Sequence, residues 1–205
     1  MTRVAALATT FVLFAVGATA CAKTGGSTAD ETPDEPPATA VDGAPVFRVP
    51  VDADAAIGKA GLRVVGEDEP PLVHLRSHLD VIIDGHPVVV PKGIGMVDPT
   101  HSSPLTTRDD SGVLYVASPK KETFRLGQLF QQWNVPLDKD CISGRCASKN
   151  PDKQLLAYVN GELAVDPSTI QLTDGAEIVV WFGPRDTNPT VPTSYDFPAT
   201  AAIPG

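Results

Sequence analysis

The chain has 205 residues, 42% of them hydrophobic and 20% charged, and its 25 acidic against 16 basic residues give a formal charge of −9. Such an excess of acid repels phosphate backbones and anionic lipid head groups, which argues against nucleic acid as a partner and against membrane attachment through basic side chains. The length suits one domain with a single core and leaves room for non-globular ends.

The N-terminus, MTRVAALATTFVLFAVGATAC, carries one positive charge at Arg3, an apolar run from Val4 to Ala18, and small residues leading into Cys21. This is the pattern of a secretory signal. The apolar run is shorter than the ~20 residues that a spanning helix needs and is dotted with Ala, Thr and Gly, which disfavours a transmembrane anchor. Its end, Ala18-Thr19-Ala20-Cys21, resembles the lipobox of bacterial lipoproteins. That resemblance implies cleavage after residue 20, lipidation of Cys21, and a mature protein on the extracytoplasmic face of the cell membrane. Residues 1–20 contain one Arg and no acid, so the mature chain keeps 15 basic residues against 25 acidic ones, a formal charge of −10. The expected membrane partner is therefore reached through the N-terminal lipid, and two or three acyl chains make such anchoring stable.

Residues 21–45 follow Cys21 with Gly, Ser, Thr, Pro and acids and almost no large apolar side chain. Such a segment cannot bury enough surface to fold and reads as a disordered tether. The globular domain is expected over 46–183, opening with a short helix in DADAAIGKAGL that has Asp52 or Asp54 as cap and Gly61 as stop. From residue 75 to 83, Leu75, Ser77, Leu79, Val81 and Ile83 alternate with His74, Arg76, His78 and Asp80, the pattern of a half-buried strand. Asp84-Gly85 supplies a two-residue turn, and HPVVVP returns as the hairpin partner. SGVLYVASP predicts another strand. In TFRLGQLFQQWNVP, Leu126, Leu129, Phe130 and Trp133 share one helical face, with Asn134 and Pro136 marking the stop.

With Cys21 taken by lipid, Cys141 and Cys146 remain as an even pair in CISGRC, and an oxidising compartment lets them bond. Closing so short a loop constrains the unfolded chain by about 2 kcal/mol on the entropic model, which makes a local clamp. LLAYVNGELAV predicts a hairpin around Asn160-Gly161, and LTDGAEIVVWFG turns at Asp174-Gly175 into a last strand. Residues 184–205 are rich in Pro and Thr and read as an extended tail.

The order hairpin, strand, helix, hairpin, strand defines an α+β domain with one main helix across a mixed sheet. It resembles the β-grasp fold, and YVNGELA followed by LTDGAEIVVW is similar to the ending of ubiquitin-like sulfur carriers. Sulfur carriers need a C-terminal Gly-Gly, whereas this chain ends AAIPG, so that activity does not transfer.

Three of the four histidines lie between residues 74 and 86. On a strand, His74 and His78 stand about 13 Å apart, too far to share an ion comfortably, and Arg76 lies between them. A metal site would need histidine from separate segments joined by Asp80, Asp109 or Asp110. The expectation is instead a solvated strand face with ordinary surface histidines. Residues 74–182 also resemble a family of exported bacterial proteins, many actinobacterial, with the pattern H-x-H-x-HLDVFVDG-x-PV-x-VP-x-GIGI, then LHTHD-x-SGVIHVESP, then F-x-LGQFF-x-x-W. This chain keeps HLDVIIDGHPVVVPKGIGM, DDSGVLYVASP, FRLGQLFQQW and CISGRC. It departs at Thr106, Arg108, Tyr115 and Ala117, where the family carries three histidines and a glutamate. His78 and Asp109 are the matched positions that survive, so the resemblance implies that any metal affinity has mostly been lost.

No nucleophile elbow, zincin motif, phosphate loop or free Cys-His pair is present, so neither catalysis nor an organic cofactor is expected. The expected function is a lipid-anchored, non-catalytic module that binds an envelope protein or small ligand through one side of its sheet. The alternative is extracytoplasmic copper or zinc binding, with His74, His78, Asp80 and Asp109 as candidate ligands.

Overall fold

The computed structural model describes residues 38–39 and 43–198, all within one compact unit, Pro36–Gly205. The signal peptide, Cys21 and most of the tether lie outside the described residues, as do residues 199–205. Among the described residues no helix is long and apolar enough to cross a membrane.

A seven-stranded mixed sheet forms the centre, built from β1 (Val73–Ile83), β2 (His86–Val88), β3 (Leu105–Thr107), β4 (Val113–Ser118), β5 (Lys153–Val159), β6 (Glu162–Ala164) and β7 (Ala176–Pro184). The order across it is β6-β5-β7-β1-β4-β3, and β2 pairs with the far half of β1 beside β4. All pairings are antiparallel except β1 with β7, which run parallel with Ser77 opposite Ala176 and Ile83 opposite Phe182. That parallel pair sits centrally, and every inward residue of both strands from Ser77 onward is buried.

Among the described residues there are two α-helices, which pack on each other. Helix α1 (Ala53–Lys59) is capped by Asp52, whose side chain accepts from the Ala55 N–H at 2.9 Å. This satisfies one of the amides that a helix start leaves without a partner. Helix α2 (Leu126–Gln132) presents Leu126, Leu129, Phe130 and the following Trp133, all 0–1% exposed, to the inner face of the sheet. There they meet Leu79, Val81, Ile83, Leu114, Val116, Ile178, Val180 and Phe182. The expected stripe is therefore the core stripe, and the helix stops where Asn134 takes a φ of 58°.

The Asp84-Gly85 turn has φ of 54° and 85°, the positive pair that a two-residue hairpin of matching twist requires. Asn160-Gly161 repeats it between β5 and β6. Cys141 and Cys146 face each other in a short two-stranded hairpin and are bonded, as the spacing predicted.

Two expectations need correcting. Packing begins before residue 46, because Ala38–Thr39 pairs with Pro45–Val46 and Ala44 is buried. The segment after β7 lacks helix and strand, as expected of an extended tail, but it does not leave the domain. Val191 packs on Tyr158, Val179 and Trp181, and Tyr195 and Phe197 continue across the outer face of the sheet. Proline-rich chain is already extended and loses little further freedom on docking, so three apolar side chains suffice to hold it as a strap.

Candidate functional site

The outer face of the sheet is where the polar residues of β1 emerge. His78 and Asp80 are two apart on one strand and so project to the same side. The parallel register sets Glu177 of β7 opposite His78 and Val179 opposite Asp80. Three potential ligand side chains thereby meet, with one donor atom from each of His78, Asp80 and Glu177 lying within 4.8 Å of the others.

His78 is 6% exposed and Glu177 1%, and Asp80 is half-buried. The histidine is therefore not an ordinary surface residue, contrary to expectation. Three neighbours cover it. The Ser111-Gly112 segment lies against one ring edge, β7 against the other, and the Tyr195 ring stacks on its face at 3.7 Å with planes 6° apart. Phe197 then meets Tyr195 edge-on at 4.9 Å, and the Arg76 guanidinium lies 5.1 Å from the Phe197 centroid.

Both ring nitrogens of His78 are engaged. Nε2 lies 2.8 Å from the Ser111 carbonyl, which only accepts, so this nitrogen carries the proton. Nδ1 is left facing Glu177 Oε2 at 2.7 Å. With the carboxylate ionised, the ring is an imidazolium donating on both sides. Burial works against that charge, but the hydrogen bond and charge of Glu177, the Ser111 carbonyl and the charge of Asp80 outweigh it, and the His78 pKa is raised. Burial also raises the pKa of Asp80, and Glu177 adds to the rise through its charge and a hydrogen bond that a protonated Asp80 can donate, against the lowering pull of His78.

One atom of the cluster has no counterpart. Glu177 Oε1 is buried without a hydrogen-bond partner, while Oε2 is occupied by His78. The backbone around it is well held, since Asn160 Oδ1 accepts the Glu177 N–H at 2.9 Å and the Asn160 N–H donates to the Glu177 carbonyl at 2.8 Å.

The four candidate ligands read from the sequence divide evenly. His78 and Asp80 belong to the cluster; His74 is exposed at the start of β1, and Asp109 turns away. Asp109 accepts from both the N–H and the hydroxyl of Ser111, which lowers its pKa and fixes the loop whose carbonyl holds His78. His86 and His101 stand outside the cluster as well, and His101 instead contacts Asp98 at 3.0 Å on the surface. Glu177 was missed. Its signal was an acid facing outward from a strand whose other outward residues are Val179 and Trp181.

No protein-family model matches this chain, and neither does any curated protein or solved structure.

Proposed function

We propose that the chain is a lipid-anchored extracytoplasmic lipoprotein whose domain is a non-catalytic binding module for a small cationic ligand, held at His78, Asp80 and Glu177. The unpartnered Oε1 of Glu177 carries this reading. A buried acceptor left without a donor costs about 1–3 kcal/mol, and more when charged, so a group that pairs with this oxygen stabilises the site. The two carboxylates outnumber the single imidazolium, so the group that best completes the site is positive. A proton on Asp80 is the competing way to fill the gap.

The anchoring half of the proposal rests on Arg3, the apolar run and the Ala-Thr-Ala-Cys ending at Cys21. A β-grasp-like assignment belongs here too. It is supported by the order β2-β1-β7-β5-β6 with the parallel pair β1 and β7 in the middle and α2 across the inner face.

Melting curves of the purified full chain against a panel of organic ammonium ions, divalent cations and anions test the binding half. Stabilisation by at least one cation, lost in Glu177→Gln, supports it; a panel in which no cation separates wild type from variant ends it. The mass of the N-terminal peptide of the mature protein tests the anchor. A diacylated Cys21 is expected, and an unmodified Cys21 overturns it.

A further inference from the structure

We infer that the ligand of this site is a single divalent transition-metal cation of the zinc class, bound by His78 Nδ1 and one oxygen each from Asp80 and Glu177. This rests on the cationic-ligand reading above and names its chemical class.

The donor set is the first argument. One imidazole and two carboxylates form a mixed nitrogen and oxygen site, which suits zinc and its first-row neighbours. Calcium and magnesium prefer oxygen alone, and copper(I) prefers sulfur, which none of the three residues offers.

Size is the second. Zinc sits about 2.0–2.2 Å from nitrogen and oxygen ligands, so donors arranged tetrahedrally around one ion lie about 3.3–3.6 Å apart. The three donors lie within 4.8 Å of one another. A closing movement of up to about 1.5 Å brings them into range, which rotation of the half-buried Asp80 side chain supplies. An organic ammonium needs room for its carbon skeleton, but Tyr195 already rests on the imidazole at 3.7 Å. Asp80 is half-buried, whereas His78 and Glu177 are buried, so an ion reaches the site from the Asp80 side.

The way His78 is held is the third argument, and it is independent of the acids. Metal-binding histidines typically donate their second ring N–H to a carbonyl or carboxylate, which fixes the tautomer and aims the other nitrogen at the ion. Here the Ser111 carbonyl takes the Nε2 proton at 2.8 Å, and Asp109 anchors Ser111 in turn. Nδ1 is thus aimed at the two carboxylates. The unpartnered Glu177 Oε1, in a side chain 1% exposed, stands beside it with an empty acceptor site. On binding, the cation takes the Nδ1 lone pair and the Nδ1 proton leaves to solvent, so charge and proton count balance.

Three protein ligands leave one tetrahedral position for water or another small ligand, unlike the closed four-ligand sites that only staple a fold. The four histidines therefore do not act together. A single histidine recruits an acid from the neighbouring parallel strand.

The test is isothermal titration of the purified full chain with Zn²⁺, paired with the visible spectrum of Co²⁺. One Zn²⁺ per chain is expected, together with Co²⁺ bands reporting nitrogen and oxygen ligation. Binding weakens by about tenfold or more in His78→Gln, Glu177→Gln and Asp80→Asn, and Ca²⁺ at equal concentration gives no heat. Asp80 is half-buried, so Asp80→Asn keeps the test open if a buried variant fails to fold. His101→Asn, on the surface, leaves binding unchanged. Equal Zn²⁺ affinity in wild type and Asp80→Asn, or loss in His101→Asn, overturns the assignment. If an organic cation stabilises the wild type through Glu177 while Zn²⁺ does not bind, the metal class fails and the cationic-ligand reading stands. If neither binds, both fail.

Discussion

Replacing Gly112 by alanine tests how His78 is held, because the glycine does two separate things. Its φ is +83°, where a side chain is strained, and an added Cβ would lie 2.6 Å from the Leu79 carbonyl and 3.0 Å from His78 Nε2. Gly85 is the matched control, with φ +85° and nothing within 4 Å of its Cβ position. Left-handed strain alone costs about 1–2 kcal/mol, and Gly85→Ala should lose that much. At Gly112 the clash is with backbone and ring, so relief requires the 111–112 segment to move away from the strand. That movement lengthens the Nε2 contact to the Ser111 carbonyl at 2.8 Å and the Leu79 N–H bond to the Gly112 carbonyl at 3.0 Å. A hydrogen bond to a charged group contributes about 1.5–3 kcal/mol, so the total for Gly112→Ala is about 3–5 kcal/mol. Urea denaturation at pH 6 measures both variants, and the nitrogen-bound ring proton of His78 in the NMR spectrum reports the contact directly. If Gly112→Ala costs no more than Gly85→Ala and leaves that proton unmoved, the Ser111 carbonyl does not hold the ring.

The remaining predictions concern pH, the disulfide and the strap. The fold raises the pKa of His78, so its contribution to stability is fully present below the ordinary value of 6.5 and is lost as pH rises through the folded value. Asp80, raised from 3.8, loses stability in the same direction at lower pH. Metal-free wild type should therefore melt lower as pH climbs above 6.5, and His78→Gln should not; parallel curves refute the pairing with Glu177. Removing the disulfide as Cys141→Ser with Cys146→Ser should cost about 2 kcal/mol and leave the sheet intact, since the loop is short; a loss of folded circular dichroism contradicts a purely local clamp. Tyr195 makes two aromatic contacts, at 3.7 and 4.9 Å. At about 0.5–1.5 kcal/mol each, Tyr195→Ala should weaken docking of the strap by about 1–3 kcal/mol and raise the exposure of Trp181, read by hydrogen exchange and fluorescence quenching. Unchanged exposure means that the strap does not cover that face.

Local signals in the sequence carried much of the fold. The alternation from Leu75 to Ile83, the Asp84-Gly85 and Asn160-Gly161 turns, and the stripe Leu126, Leu129, Phe130 and Trp133 all correspond to strands, hairpins and a helix in the places expected. Each is a pattern of period or turn chemistry within a dozen residues. The site depends on two longer-range facts. Glu177 meets His78 across 99 positions of sequence, through a parallel register that nothing local specifies. His78 is buried because a proline-rich strap returns over the outer face, and Val191, Tyr195 and Phe197 were hidden within a composition typical of an unfolded tail. The alternation correctly set His78 and Asp80 on the face opposite the core, but facing away from the core proved different from facing water.

The central claim, a cation completed by Glu177, is tested most directly by the melting temperature of wild type and Glu177→Gln, each with and without Zn²⁺. At a free concentration 100 times the dissociation constant, a ligand that binds only the folded state adds about 2.7 kcal/mol. For a domain of this size that is roughly 5–11 °C. Glu177→Gln, with affinity reduced about 100-fold, should gain only about 1–2 °C at the same concentration. Equal shifts in the two proteins, or no shift in either, would contradict the account.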